Sequence, residues 1–130
     1  VRLIAVAVLV VFGGGLIWLL MPWPLRPPEI TLDGDAKRGE YVLRLGGCTA
    51  CHTDAKNHGQ FLAGGRALKT AFGTFYPPNI TPDPSTGIGG WSTGAFVQAM
   101  TEGRSPSGRP LYPAFPYTSY ARMTAQDLVD

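Results

Sequence analysis

Both cysteines of this 130-residue chain lie in one five-residue stretch, Cys48-Thr49-Ala50-Cys51-His52. The pattern C-x-x-C-H is the attachment site of a c-type haem. Each thiol can form a thioether with a haem vinyl group, and the histidine stands where it can ligate the iron from the proximal side. Other uses of the same residues fit less well. A thioredoxin-type C-x-x-C needs a βαβ context, and no such alternation surrounds this one. A zinc site could recruit Cys48, Cys51, His52 and His58, but tetrahedral sites usually draw ligands from separated loops. Cys51 and His52 are adjacent, which makes joint chelation awkward. A plain disulfide leaves His52 unexplained. The expected cofactor is therefore one covalent haem c, with Cys48, Cys51 and His52 holding it.

The length suits one small domain. Seventeen glycines and twelve prolines gather in the middle of the chain and after Gly103. A chain so punctuated has long loops and few helices, and normally a poor core. A covalent haem compensates by supplying a large apolar plate for the loops to pack on. The net charge of +2 is too weak to imply nucleic acid, and no arginine stripe is interleaved with aromatics.

Leu3 to Met21 is apolar or glycine throughout, with no charge. That length approaches a helical membrane span. A cleaved signal peptide has a shorter apolar core and a small-x-small cleavage site, whereas this run ends at Pro22-Trp23-Pro24. Trp18 and Trp23 suit the interfacial belt, and Arg2 favours a cytoplasmic N-terminus, though Arg26 opposes it. The expectation is an uncleaved transmembrane helix, with a signal peptide second and a buried core helix third. That would place the haem domain on the periplasmic side of a bacterial inner membrane.

The expected divisions are an anchor over 1–22, a proline-rich linker over 23–33 and a haem domain over 34–130. Within the last, Asp35 reads as the N-cap of a helix from Ala36 to Leu45, closed by Gly46-Gly47. Gly39 inside it fits either close approach of another helix or simple tolerance. Little regular structure is expected from Thr53 to Gly90. Ser92 caps a short helix over Thr93 to Thr101 with Phe96, Val97 and Met100 on one face, ended by Gly103. Thr124 caps a last helix from Ala125 that looks truncated, as though the chain were a fragment. The expected fold class is mainly α: a small cytochrome c-like helical domain around a covalent haem, with an N-terminal transmembrane helix.

The chain order resembles class I cytochromes c. Several pieces narrow the likeness: Gly46-Gly47-Cys48-Thr49-Ala50-Cys51-His52-Thr53, Leu62-Ala63-Gly64-Gly65, Thr70-Ala71-Phe72-Gly73-Thr74-Phe75-Tyr76, Asn79-Ile80-Thr81-Pro82-Asp83, Thr86-Gly87-Ile88-Gly89-Gly90-Trp91-Ser92 and Leu111-Tyr112-Pro113-Ala114-Phe115-Pro116-Tyr117. Together they resemble the cytochrome c subunits of membrane-bound bacterial alcohol, aldehyde and gluconate dehydrogenases, over nearly everything after Asp33. The resemblance implies electron transfer, with a dehydrogenase catalytic subunit as donor, a respiratory acceptor downstream, and further haem modules in many members. One departure stands out. Many members have methionine where this chain has Phe115, which cannot bind iron. The nearest remaining sixth ligand is Met123, ahead of the last helix. Met100 and His58 are the lesser alternatives.

Trp91, Asn79 and Arg66 are candidate donors to the haem propionates. Phe75, Tyr76, Trp91 and Tyr117 are candidate pocket walls. No nucleophile–base pair or carboxylate pair points to substrate chemistry. The alternative function is a haem enzyme or gas sensor with an open sixth position. A third possibility, metal or thiol handling, would leave the chain without covalent haem.

Overall fold

The computed structural model describes residues 2–20 and 26–130; within the first helix, side chains are described for residues 10–19. Among the described residues the elements are α1 (Arg2–Leu20), α2 (Ala36–Leu45), α3 (Cys48–His52), β1 (Leu68–Thr70), β2 (Gly73–Phe75), α4 (Thr93–Glu102), α5 (Tyr117–Tyr120) and α6 (Ala125–Val129), with one 3₁₀ turn at Ala55–Asn57.

The N-terminal expectation needs correction. Residues 2–20 are helical, but among the described residues no helix is long and apolar enough to cross a membrane. Nineteen residues rise about 28 Å at ~1.5 Å each, and the charged Arg2 opens the helix. Within the described residues, the uncharged stretch 3–20 rises about 27 Å, against a hydrocarbon core of ~30 Å. The transmembrane helix over 1–22 is withdrawn, and the membrane anchoring and inner-membrane placement built on it find no span to support them among the described residues. Trp23, offered as an interfacial anchor, lies outside the described residues, as does the linker up to Leu25.

From Asp35 onward the local signals act as capping physics requires. The Asp35 carboxylate accepts from the backbone N–H groups of Lys37 and Arg38, satisfying two donors that a helix start leaves unpaired. Gly46 closes α2, and Gly47 turns with φ 71°. Ser92 and Thr124 cap α4 and α6 through Ala95 N–H and Asp127 N–H. Gly103 ends α4 with φ 65°.

α2 packs on α6, and α4 on both α5 and α6. Gly39 decides the first contact. A Cβ there would collide with the Asp130 carbonyl oxygen, so close approach is the reason for this glycine. The core is small: Leu62, Ala95, Val97, Ala99 and Leu128 are the buried apolar residues. The buried face of α4 differs from the one expected. Gly94, Ala95, Gln98 and Ala99 join Val97 inside, while Phe96 and Met100 are half-buried. Small residues win because Pro28 of the linker lies directly over Gly94, where a Cβ would strike its carbonyl oxygen.

The second difference is a two-stranded antiparallel hairpin inside the stretch expected to be irregular. Leu68 pairs with Phe75, Lys69 with Thr74 and Thr70 with Gly73. Thr70 closes the turn, its hydroxyl donating to Gly73 O at 2.9 Å and accepting from Phe72 N–H at 3.1 Å.

Candidate haem-binding site

The motif is itself a short helix, α3, entered through the left-handed Gly47. Cysteines three apart on a helix lie on one face. Cys48 is half-buried and Cys51 exposed, and both are free thiols. Burial pushes the Cys48 thiol pKa up, against a backbone hydrogen bond that lowers it; the nearby Cys51 also raises it.

His52 is held from two directions. Its Nδ1 lies 2.8 Å from Pro78 O. A carbonyl oxygen can only accept, so Nδ1 carries a proton, and in the neutral imidazole Nε2 keeps its lone pair. That is the tautomer a metal-ligating histidine needs. The His52 carbonyl in turn accepts from Gly64 N–H at 2.7 Å, and Gly65 N–H donates to Pro77 O at 3.0 Å. Gly64 has φ 78°, and a Cβ on it would lie 2.7 Å from Pro78 O. Only glycine lets the 77–78 segment come close enough to hold the imidazole. Thr53, just after the motif, accepts Leu62 N–H on its hydroxyl at 3.0 Å, and Leu62 O accepts from Ile80 N–H at 3.0 Å.

The expected propionate donors stand around this corner in different ways. An Arg66 guanidinium nitrogen donates to the carbonyl of Ala50, between the two cysteines. Asn79 follows Pro78 directly. Its amide donates to Thr86 Oγ1 at 2.9 Å and its oxygen accepts Thr81 N–H at 2.8 Å. Trp91 is half-buried, and its backbone N–H donates to Ile88 O at 3.0 Å. Among the expected walls, Phe75 packs against Tyr112 with centroids 4.6 Å apart and the rings tilted by 32°. Tyr117 lies over Gly103, where a Cβ would meet its ring. Tyr76 is largely exposed.

Met123 lies elsewhere. It is half-buried and lines a groove of about 650 Å³ with Tyr41, Val42 and Leu45 of α2 and with Tyr120. Met100 stays on α4, and His58 is exposed with φ 55°. Phe115 stacks on Tyr120 at 5.8 Å. The Tyr120 hydroxyl donates to Gly46 O at 2.9 Å, tying α5 to the residue two before Cys48. Burial pushes the Tyr120 pKa up, and charge on either nearby cysteine adds to the shift. Sequence reasoning missed Tyr120, Gly64 and Pro78. The double proline marked a breaker, but nothing in it pointed to a carbonyl acceptor.

Two thiols on one helical turn, followed by an imidazole with a free Nε2, form a donor set that fits covalent haem. Nδ1 is fixed by a backbone acceptor, as proximal ligation requires.

The relatives agree with that donor set. No family model matches the chain. The chain is 43% identical over 128 residues to a diheme cytochrome c-type protein of Cereibacter sphaeroides, covering 95% of this chain and 43% of that protein. It is 48% identical to the cytochrome c subunit of a quinone alcohol dehydrogenase of Gluconacetobacter polyoxogenes, over 75% of this chain and 21% of that subunit. It is 47% identical to the gluconate 2-dehydrogenase cytochrome c subunit of Pantoea cypripedii, over 74% and 21% respectively. The chain thus spans less than half the length of these relatives. Site and relatives together define the class: a c-type cytochrome module. More particularly, it belongs with the modules of the cytochrome c subunits of alcohol, gluconate and fructose dehydrogenases, and its chemistry is haem-based electron transfer.

Proposed function

We propose that this domain carries electrons through a single covalent haem c, from a dehydrogenase catalytic subunit to an acceptor of the respiratory chain. The observation that carries the proposal is the His52 Nδ1 contact with Pro78 O, which leaves Nε2 for iron. Cys48 and Cys51 would hold the haem through thioethers, and Met123 would supply the sixth ligand. The names of the relatives support the dehydrogenase donor, and a covalent haem c fits a periplasmic domain. One cysteine pair supports one haem in this chain.

Bound haem supplies a one-electron Fe(III)/Fe(II) couple. The residues around it set the potential and the access. Thioether ligation favours the ferrous state. Leu62 is buried beside the motif, joined to Thr53 and Ile80, and low dielectric disfavours the extra charge of ferric iron. Arg66 uses one of five guanidinium N–H donors on Ala50 O, and Asn79 uses one of two amide protons. Both retain donors for the propionates, and Trp91 has its indole N–H.

The experiment is maturation with a cytochrome c assembly system, followed by a haem count and carbon monoxide binding to the ferrous form. One haem per chain and slow carbon monoxide binding support the proposal. Fast binding to a five-coordinate ferrous form contradicts it and favours a gas-binding site. Absence of covalent haem contradicts both.

A further inference from the structure

A second cavity, of about 420 Å³, lies between the β1–β2 hairpin and the loop before α5. It is lined by Thr70, Phe72, Phe75, Tyr112, Pro113 and Ala114. None of Cys48, Cys51 or His52 lines it. Phe72 at the hairpin tip is 89% exposed and Tyr112 60%. Exposed aromatic surface gathered around a concavity marks a binding surface more often than scattered apolar residues do.

Charge says what kind of partner fits. The stretches around the cavity, residues 66–76 and 104–115, contain four Lys or Arg and no Asp or Glu. Lys69 lies within the hairpin, and Arg66 and Arg109 flank the cavity segments. Among the described residues none of these three forms an ion pair. Six of the nine acids lie instead in residues 29–40 and 127–130, at the α2–α6 corner. A neutral or basic partner gains nothing from this arrangement, whereas an acidic one is steered to the hairpin side.

The position also suits the domain's work. Both stems of the hairpin are fastened to the proximal histidine: Gly64 N–H bonds to His52 O, and Pro78 O accepts from His52 Nδ1. A partner seated on the hairpin is therefore linked to the iron ligand by a short run of bonded backbone.

We propose that the hairpin–loop cavity is the docking surface for an acidic redox protein that inserts one apolar side chain beside Phe72 and Tyr112. This rests on the electron-transfer function above.

The test uses the ¹⁵N-labelled holoprotein and a synthetic peptide of glutamates around a central phenylalanine. A control peptide carries serine in place of that phenylalanine. The expected result is chemical-shift change confined to residues 66–76 and 104–115, and binding that weakens as salt rises. Phe72→Ala and the Lys69→Glu/Arg109→Glu pair should each weaken binding about tenfold, and the control peptide should bind at least tenfold more weakly. Shift changes centred on α2 and α6, equal binding of both peptides, or no binding at millimolar peptide would each overturn the proposal. So would a changed haem spectrum in Phe72→Ala, which would give the cavity to the haem. An unchanged spectrum in every variant keeps the haem assignment standing whatever the docking result.

Discussion

On the His52 side, three stretches of chain converge through the backbone. The motif, the 62–66 segment and the 77–80 segment are joined by hydrogen bonds of 2.7–3.0 Å. On the Met123 side, α2, α5 and α6 leave a groove, and the corner is tied by side chains such as Tyr120. The contrast bears on ligation. A backbone acceptor such as Pro78 O survives most substitutions, so the orientation of His52 is fixed by chain path. The Met123 groove depends on side chains, so its chemistry is easier to change.

The largest expected effect comes from putting a Cβ into the backbone-built side. Gly64→Ala combines φ 78° with contacts on Pro77 and Pro78. It should cost about 2 kcal/mol or more in denaturant unfolding of the holoprotein. Wild-type stability in this variant would break the contrast, since the 77–78 segment would then not be held tightly.

Smaller effects belong to the side-chain-built side. Tyr120→Phe removes the hydroxyl that donates to Gly46 O and keeps the ring that stacks on Phe115. A loss of about 1 kcal/mol is expected from the same unfolding measurement. A loss equal to that of Gly64→Ala would mean that both sides are equally tight.

The smallest effect is acid sensitivity, and each region has one carboxylate that reports it. Backbone N–H groups of Thr86 and Ser85 hold the Asp83 pKa below its usual value. Asp130 is lowered by Gln126 first, then by Asp35 N–H and Arg38. A carboxyl lowered in the folded state stabilises fully above its unfolded pKa of about 4, and loses that contribution as pH falls through the folded value. Asp83→Asn and Asp130→Asn should each flatten the fall in stability below about pH 4. An unchanged slope in either one removes that carboxylate from the account.

Short-range signals were legible in the sequence. Asp35, Ser92 and Thr124 cap helices because each places a side-chain oxygen within reach of its own next N–H groups. Gly103 ends α4 for an equally local reason, and C-x-x-C-H carries its chemistry in five residues. What escaped depends on distant chain. Three-residue strands at Leu68–Thr70 and Gly73–Phe75 are too short for alternation to register. Pro78 acts through a carbonyl that every residue possesses. On α4, Phe96 and Met100 looked like core, but the close approach of Pro28 selected the small-residue face at Gly94. At the N-terminus, apolar composition suggested a span, but among the described residues no helix is long and apolar enough to cross a membrane.

Met123 is where the account is most exposed. The direct measurement is the methionine-to-ferric-iron charge-transfer band in the optical spectrum of the matured protein, alongside Met123→Ala. The account predicts a band in the wild type that disappears in the variant. A band that persists in Met123→Ala would assign the sixth position to another methionine, and a high-spin wild type without the band would contradict His52/Met123 ligation outright.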